Sequence, residues 1–175
     1  MRSTIVSDST TLIILGKIER YDLIENVFDK VYIPSEVMRE ISQKSDGVSS
    51  KIMANMLFET RSITDSVTLK MLDGILDSGE SEAIVLAKEL QCILLIDEKK
   101  GRAVAKTMGL DIIGLLGVLI ANVKSETIAR AEAVEILNTI KQEKFRVSKK
   151  LEEHFLDVIA QQNSHYSRSF TAPRS

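Results

Sequence analysis

The sequence predicts an α/β fold: a three-layer α/β/α sandwich on a central parallel sheet, with extra helices at the C-terminal end. Three observations predict it. Short apolar runs rich in β-branched residues alternate with segments of helical period, the pattern of βαβ units joined by right-handed crossovers. The run Ile93-Leu94-Leu95-Ile96 is apolar without alternation, as a strand buried on both faces should be. Two such runs end on an acid, Ile5-Val6-Ser7-Asp8 and Leu94-Leu95-Ile96-Asp97. In an open parallel sheet the carboxyl ends of the strands border the crevice where ligands bind, so both acids stand where chemistry is normally placed.

Taken in order, Ser3 to Ser7 is the first strand, and Ser9 to Ile18 is a helix whose Leu12, Ile13 and Leu15 can face the sheet. Tyr21 to Val27 is a second short helix. Lys30 to Ile33, β-branched and aromatic, is the second strand. Pro34 ends it and opens a helix, where its missing N–H and fixed φ do no harm, and that helix turns Val37, Met38 and Ile41 inward. Ser45-Asp46-Gly47-Val48-Ser49-Ser50 reads as a loop, Lys51 to Phe58 as helix, and Thr60 to Ser66 as either strand or loop. Val67 to Leu76 is helical, Asp77-Ser78-Gly79 breaks the chain, and Glu80 to Leu90 is helical again. The strand Cys92 to Ile96 follows, then a helix from Lys99 to Met108 closed by Gly109 as C-cap. Leu110 to Ile113 is a last short strand. Helices near Leu115 to Val123, Thr127 to Gln142 and Ser148 to Gln162 complete the chain, and Asn163 to Ser175 reads as a disordered or partner-held tail.

With 175 residues the chain suits one domain that folds without a disulfide or metal staple. Residues 1–150 are expected to form it, with 151–175 as a C-terminal helix and flexible tail. Lys and Arg total 23 against 25 Asp and Glu, which excludes a strongly basic nucleic-acid coat and leaves room for a basic rim beside an acidic pocket. The lone Cys92 reads as a small buried hydrophobe in a reduced, cytoplasmic compartment. The longest apolar stretch, Leu110 to Val123, is broken by Asp111, Gly114 and Gly117 and falls short of the ~18 residues of a membrane span. No membrane partner is expected.

Four places carry chemistry. Asp8-Ser9-Thr10 reads equally as a helix N-cap or as a metal-binding carboxylate with hydroxyls beside it. Glu36 and Glu40 share a helix face by their i, i+4 spacing, so one can point to a site and the other to solvent. Asp77 and Glu80 have capping-box spacing. Glu80 and Glu82 stand about 200° apart around a helix, so one of them faces a pocket, and Glu80 is preferred. The fourth place is Asp97, with Glu98 beside it. Four carboxylates drawn to one point repel and rise in pKa unless a cation neutralises them. Oxygen-only ligands select a hard ion such as Mg²⁺ or Mn²⁺. His154 and His165 lack the spacing of a zinc site.

Asp8-Ser9-Thr10, the Pro34 to Glu40 helix start, Leu76-Asp77-Ser78-Gly79-Glu80-Ser81-Glu82-Ala83-Ile84, Leu95-Ile96-Asp97-Glu98 and Ile113-Gly114-Leu115-Leu116-Gly117-Val118-Leu119 together resemble the PIN-domain family. The likeness spans about residues 3 to 150 and is closest to a branch of small prokaryotic PIN-like proteins predicted to bind nucleic acid, related to VapC-type toxin ribonucleases. It implies a Mg²⁺- or Mn²⁺-dependent ribonuclease site and, for many relatives, the role of toxin in a toxin-antitoxin pair. Asp8 matches the family's first acid, Glu40 its second, Glu80 its third and Asp97 its fourth, while Thr10 matches the small hydroxyl residue after the first. The chain departs from the pattern in having Glu where the better-known toxins have Asp at the third acid, in the added acid at Glu98, and in Gly101, which leaves no acid one turn further on.

The resulting expectation is an endoribonuclease with Asp8, Glu80 and Asp97 as metal ligands, Glu40 as ligand or orienter of the attacking water, and Lys99, Lys100 and Arg102 meeting flanking phosphates. Glu36, Glu82 and Glu98 are secondary candidates. The alternative is a catalytically weak PIN-scaffold protein that binds RNA or a protein partner. Leu151, Phe155, Leu156, Val158 and Ile159 form an apolar stripe that could pack in the core, build a homodimer or take an antitoxin peptide. A phosphatase with Asp8 as nucleophile would want a second Asp at position 10, which is Thr. A response regulator would need paired acids on the first strand.

Overall fold

The computed structural model of the chain describes residues 3–44 and 47–161. It divides into two compact units, Met1–Val118 and Leu119–Ser175. In the first unit the strands are β1 (Ser3–Ser7), β2 (Phe28–Pro34), β3 (Phe58–Arg61), β4 (Ile93–Leu95) and β5 (Ile112–Ile113). They form one parallel sheet in the order β3-β2-β1-β4-β5. The register sets Ile5 beside Val31 on one side and beside Ile93 on the other.

This order fixes where a site can lie. From β1 the chain steps outward to β2 and β3, then returns across the sheet to β4, so its direction of travel reverses between β1 and β4. Such a switch point opens a crevice at the carboxyl ends of the two strands. The helices α1 (Ser9–Lys17), α2 (Asp22–Glu25), α3 (Ser35–Ser42) and α4 (Val48–Met53) lie in the outward connections. α5 (Ser66–Leu72), α6 (Ser78–Leu90) and α7 (Lys99–Thr107) lie in the returning ones. Right-handed crossovers place these two groups on opposite faces. Both faces of β1 and β4 are therefore covered, and Ile5, Val6, Leu94, Leu95 and Ile96 are all fully buried. Val6, Leu94 and Ile96 share one cluster with Ala83, Ile84 and Ala87 of α6 and Ala105 of α7.

Several elements differ from their sequence-based bounds. The segment expected to be helical to Phe58 is shorter, because Phe58 opens β3 and pairs with Val31. Only Phe58 of that strand is buried, and Glu59, Thr60 and Arg61 are exposed at the sheet edge, so no apolar run announces it. α4 begins at Val48, inside the expected loop, where Gly47 enters it with φ 75°. α5 stops at Leu72 ahead of Gly74, which has φ 76°. The expectations for Ser45 and Asp46, and for the tail Asn163 to Ser175, lie outside the described residues.

α8 (Leu115–Lys124) runs from the first unit into the second, which also holds α9 (Arg130–Gln142) and α10 (Lys149–Gln161). α9 starts later than expected because Thr127 instead closes a turn on the buried Asn122, its hydroxyl donating to the Asn122 carbonyl at 3.0 Å and Oδ1 at 2.9 Å. α10 packs on α9, with a Lys141–Glu152 ion pair of 2.7 Å between them. Its expected stripe divides: Phe155 and Ile159 are buried, and Leu151 and Leu156 are exposed. Among the described residues no helix is long and apolar enough to cross a membrane.

Candidate active site

The sheet continues one residue past β1, where the Asp8 N–H donates to the Leu95 carbonyl at 3.1 Å. That bond holds Asp8 beside the end of β4. Asp8 occupies the N-cap position of α1 without a side-chain cap bond. It is 4% exposed, and its Oδ1 has no hydrogen-bond partner among the described residues. Burial drives its carboxyl well above the ordinary carboxylate range, helped by the charges of Asp97 and Glu80 and opposed by the N–H groups of Thr11 and Asp97.

Asp97 follows β4 at the same end of the sheet. Its Oδ2 accepts from the Thr11 hydroxyl at 2.6 Å, and its Oδ1 accepts from the Leu115 N–H at 3.0 Å, at the N-terminus of α8. Burial raises its pKa against the pull of Thr11, Leu115 and Arg102. Glu80 stands in the first turn of α6, whose N-cap Asp77 accepts from the Glu80 N–H at 2.8 Å. Burial and then the Asp77 charge raise Glu80, with further contributions from Glu98 and Glu40. Glu40, on α3, accepts from the Ser9 hydroxyl and the Gly79 N–H, and it too is raised, by burial and then by Asp77.

Glycines make room for these carboxylates. A Cβ on Gly79 would fall 2.5 Å from Glu40 Oε1, and one on Gly114 would fall 2.7 Å from Asp97 Oδ1. At Gly101 a Cβ would meet Ile96 Cδ1 at 2.6 Å and Glu80 Oε1 at 3.2 Å. The longer Glu80 thus lies against the position where the chain carries no acid.

Of the candidates read from the sequence, Asp97 and Glu80 both raise Asp8 by their charge, and Glu40 in turn raises Glu80. Others are turned elsewhere. Glu82 accepts from the Glu36 N–H at 2.9 Å, and Glu36 accepts from Arg39 Nε at 2.8 Å. Glu98 caps α7 loosely, 3.5 Å from the Lys100 N–H. Lys99 and Lys100 are exposed on the first turn of α7, whereas Arg102 is half-buried and donates to the Ile96 carbonyl at 2.7 Å. Thr10 is exposed; the buried hydroxyl at the acids belongs to Thr11. Ser9 belongs to the Asp8-Ser9-Thr10 triplet that the sequence points to, whereas Thr11 and the three glycines carry no such signal, although Thr11 falls at the i+3 position from Asp8, where a helix returns to the same face.

Among the described residues, no three carboxylate, imidazole or thiol groups stand close enough to ligate one ion together. The direct three-carboxylate ligand set expected for Asp8, Glu80 and Asp97 is therefore not formed. Magnesium and manganese keep several of their waters and need only one or two direct carboxylate bonds. An unpartnered buried carboxylate oxygen, with two more acids acting on it, is the environment such a hydrated cation would neutralise, so the residues fit one held largely through water.

The Thr11 bond yields a prediction. Thr11→Val, equal in shape without the hydroxyl, should destabilise the fold by about 1–3 kcal/mol and raise the Asp97 pKa further, since the hydroxyl donates to the charged form. Denaturant unfolding with a ¹³C-carboxyl titration of Asp97 measures both, and an unshifted Asp97 would contradict the role given to Thr11.

The family model described as "PIN domain" matches residues 4–161, and the chain belongs to the PIN-domain family. Members of this family are generally nucleases and usually use divalent metals. Among solved structures, the chain is similar to a PilT N-terminus domain protein from the hyperthermophilic archaeon Sulfolobus solfataricus P2. The likeness has 23% identity and a TM-score of 0.48 over 67% of this chain and 92% of that one. No curated protein matches the chain.

Proposed function

We propose that the protein is a metal-dependent endoribonuclease, hydrolysing phosphodiester bonds of RNA with Mg²⁺ or Mn²⁺ as cofactor. The observation that carries this reading is Asp8, a nearly buried carboxylate with an unpartnered oxygen and with Asp97 and Glu80 raising its pKa. Such a group is expensive to keep in a fold unless a cation joins it.

Asp8, Glu80 and Asp97 would hold the ion, with direct bonds from one or two of them and water between it and the rest. When bound, the ion would lower the pKa of a water and offset the charge of the phosphate. The chain's own residues do the remaining work. Thr11 and the Leu115 N–H fix the Asp97 carboxylate from both sides, the kind of outer support that keeps a ligand in register. Glu40, held by Ser9 and Gly79, orients the water that attacks phosphorus. Lys99 and Lys100 meet the flanking phosphates, each contact adding to the salt dependence of binding. The role of toxin, with an antitoxin as partner, is the setting that the family resemblance offers for this activity.

Calorimetric titration of Mn²⁺ into metal-free protein, wild type beside Asp97→Asn, with an RNA cleavage assay on the same samples, tests the reading. Binding and cleavage in the wild type, both lost in the variant, would support it. Metal binding without cleavage of RNA would overturn the ribonuclease assignment. Absence of metal binding would favour a scaffold that binds RNA or a protein without cutting.

A further inference from the structure

Beside the carboxylates lies a separate cavity of about 300 Å³ whose lining includes Glu36, Leu69, Leu76, Ser78, Ser81 and Glu82. That size is at the small end for ligand pockets and suits one ring system. Ser81 is 3% exposed, and its hydroxyl has no hydrogen-bond partner among the described residues. A buried hydroxyl left unpaired costs free energy that a ligand can return.

The cavity and the carboxylate site share two helices. α3 places Glu40 at the acids and Glu36 at the cavity, and α6 places Glu80 at the acids and Glu82 at the cavity. A group seated in the cavity is therefore held by the same two helices that carry Glu40 and Glu80. The lining also defines the occupant. Leu69 and Leu76 offer apolar surface to a flat face. Glu82 already takes the Glu36 N–H on Oε2, which leaves Oε1 to accept a donor, and the two serine hydroxyls can donate or accept. Lys70, exposed at the same cavity, adds a cation for a phosphate, beside the carboxylate of Asp73, which also lines it.

We propose that this cavity is a nucleobase subsite that takes guanine from the RNA strand, a substrate preference that rests on the ribonuclease reading above. Guanine is the base whose pairing edge puts two N–H donors beside one carbonyl acceptor. Both donors answer the one open oxygen, Glu82 Oε1, with its two lone pairs, and the carbonyl answers the hydroxyl of Ser81. Uracil has a single N–H donor between two carbonyl oxygens, so it offers this carboxylate one hydrogen bond where guanine offers two and brings carbonyl lone pairs against its charge. Bases splayed out of single strands are read in this way, by edge contacts together with apolar cover. A site built to bond a donor discriminates strongly against a ligand that lacks it.

The test titrates guanosine 5′-monophosphate, uridine 5′-monophosphate and inorganic phosphate into the metal-free full chain, followed by amide shifts of Ser78 to Glu82, and repeats the titrations with Ser81→Ala and Glu82→Gln. Guanosine monophosphate should bind roughly tenfold or more tightly than the uridine nucleotide, and each variant should lose roughly tenfold of that affinity. Ser81→Ala removes no contact seen in the fold, so it remains informative if Glu82→Gln loosens the start of α3. Equal binding of the two nucleotides, or binding to phosphate alone, would overturn the subsite. Guanine binding untouched by both variants would overturn its placement here. Guanine-selective binding by a protein that cleaves no RNA would leave the subsite standing and remove the ribonuclease reading.

Discussion

Asp8→Asn should lower metal-dependent cleavage by roughly 10²–10³-fold or more and, at neutral pH without metal, make the protein more stable. The two effects have one cause. Burial and the charges of Asp97 and Glu80 raise the Asp8 pKa well above its ordinary value, so between the unfolded and folded values the folded chain holds a proton there that the unfolded chain releases. The stability tied to that proton is complete below the unfolded pKa, near 4 for Asp, and is lost as pH rises through the folded value. Asparagine has no charge to bury. The variant should therefore gain about 1–3 kcal/mol over the metal-free wild type at neutral pH, which is ~2–4 °C per kcal/mol for a chain of this size. The gain should shrink toward acid pH. Glu36, Asp65 and Glu89 are shifted downward and stabilise in the opposite sense, so the informative quantity is the difference between the two melting curves across pH. Added Mn²⁺ should raise the wild type and leave the variant nearly unmoved. A variant less stable than wild type at every pH would show that Asp8 is paired in the fold after all.

Gly79→Ala should separate activity from stability. Gly79 lies in the first turn of α6, where alanine would ordinarily favour the helix by up to about 1 kcal/mol. The new Cβ would arrive 2.5 Å from Glu40 Oε1. A glutamate side chain can swing aside at little cost to the fold, but in doing so it gives up the Gly79 N–H and leaves its place beside Glu80. Melting temperature should stay within a few degrees of wild type, while kcat should fall by roughly tenfold to a hundredfold with little change in KM, as expected when a positioning contact is lost. A fully active Gly79→Ala protein would remove Glu40 from the reaction.

The sequence displayed the centre of the molecule more openly than its margins. β1 and β4 are buried on both faces, and an unbroken apolar run ending in aspartate is visible without any knowledge of partners. β3 was hidden because an edge strand with one buried residue resembles a polar loop. For the site, Asp8, Glu40, Glu80 and Asp97 stand out in the sequence as acids at strand ends and helix starts, and helical phase alone separates Glu80 from Glu82. Thr11 could not be separated from Thr10, since at a strand-to-helix corner one residue of phase decides which hydroxyl turns inward. Nor could periodicity show that Gly79, Gly101 and Gly114 serve as clearance for carboxylates, because clearance depends on elements distant in sequence. The cavity beside α6 is of the same kind, formed only when α3, α5 and α6 are assembled.

The two borders of the sheet have a consequence for the protein in a crowded solution. A strand with one side open presents ready-made hydrogen-bonding groups to any other extended chain. Here β5 has two residues and β3 has four, too few for a long added strand to grip. β3 is also studded with charge: Glu59 pairs with Lys30 at 3.1 Å, and Arg61 lies 4.3 Å from the centre of the Tyr32 ring. Neither border invites templated growth into fibrils, and a lasting complex would have to be made through side-chain surfaces, leaving the sheet closed to newcomers.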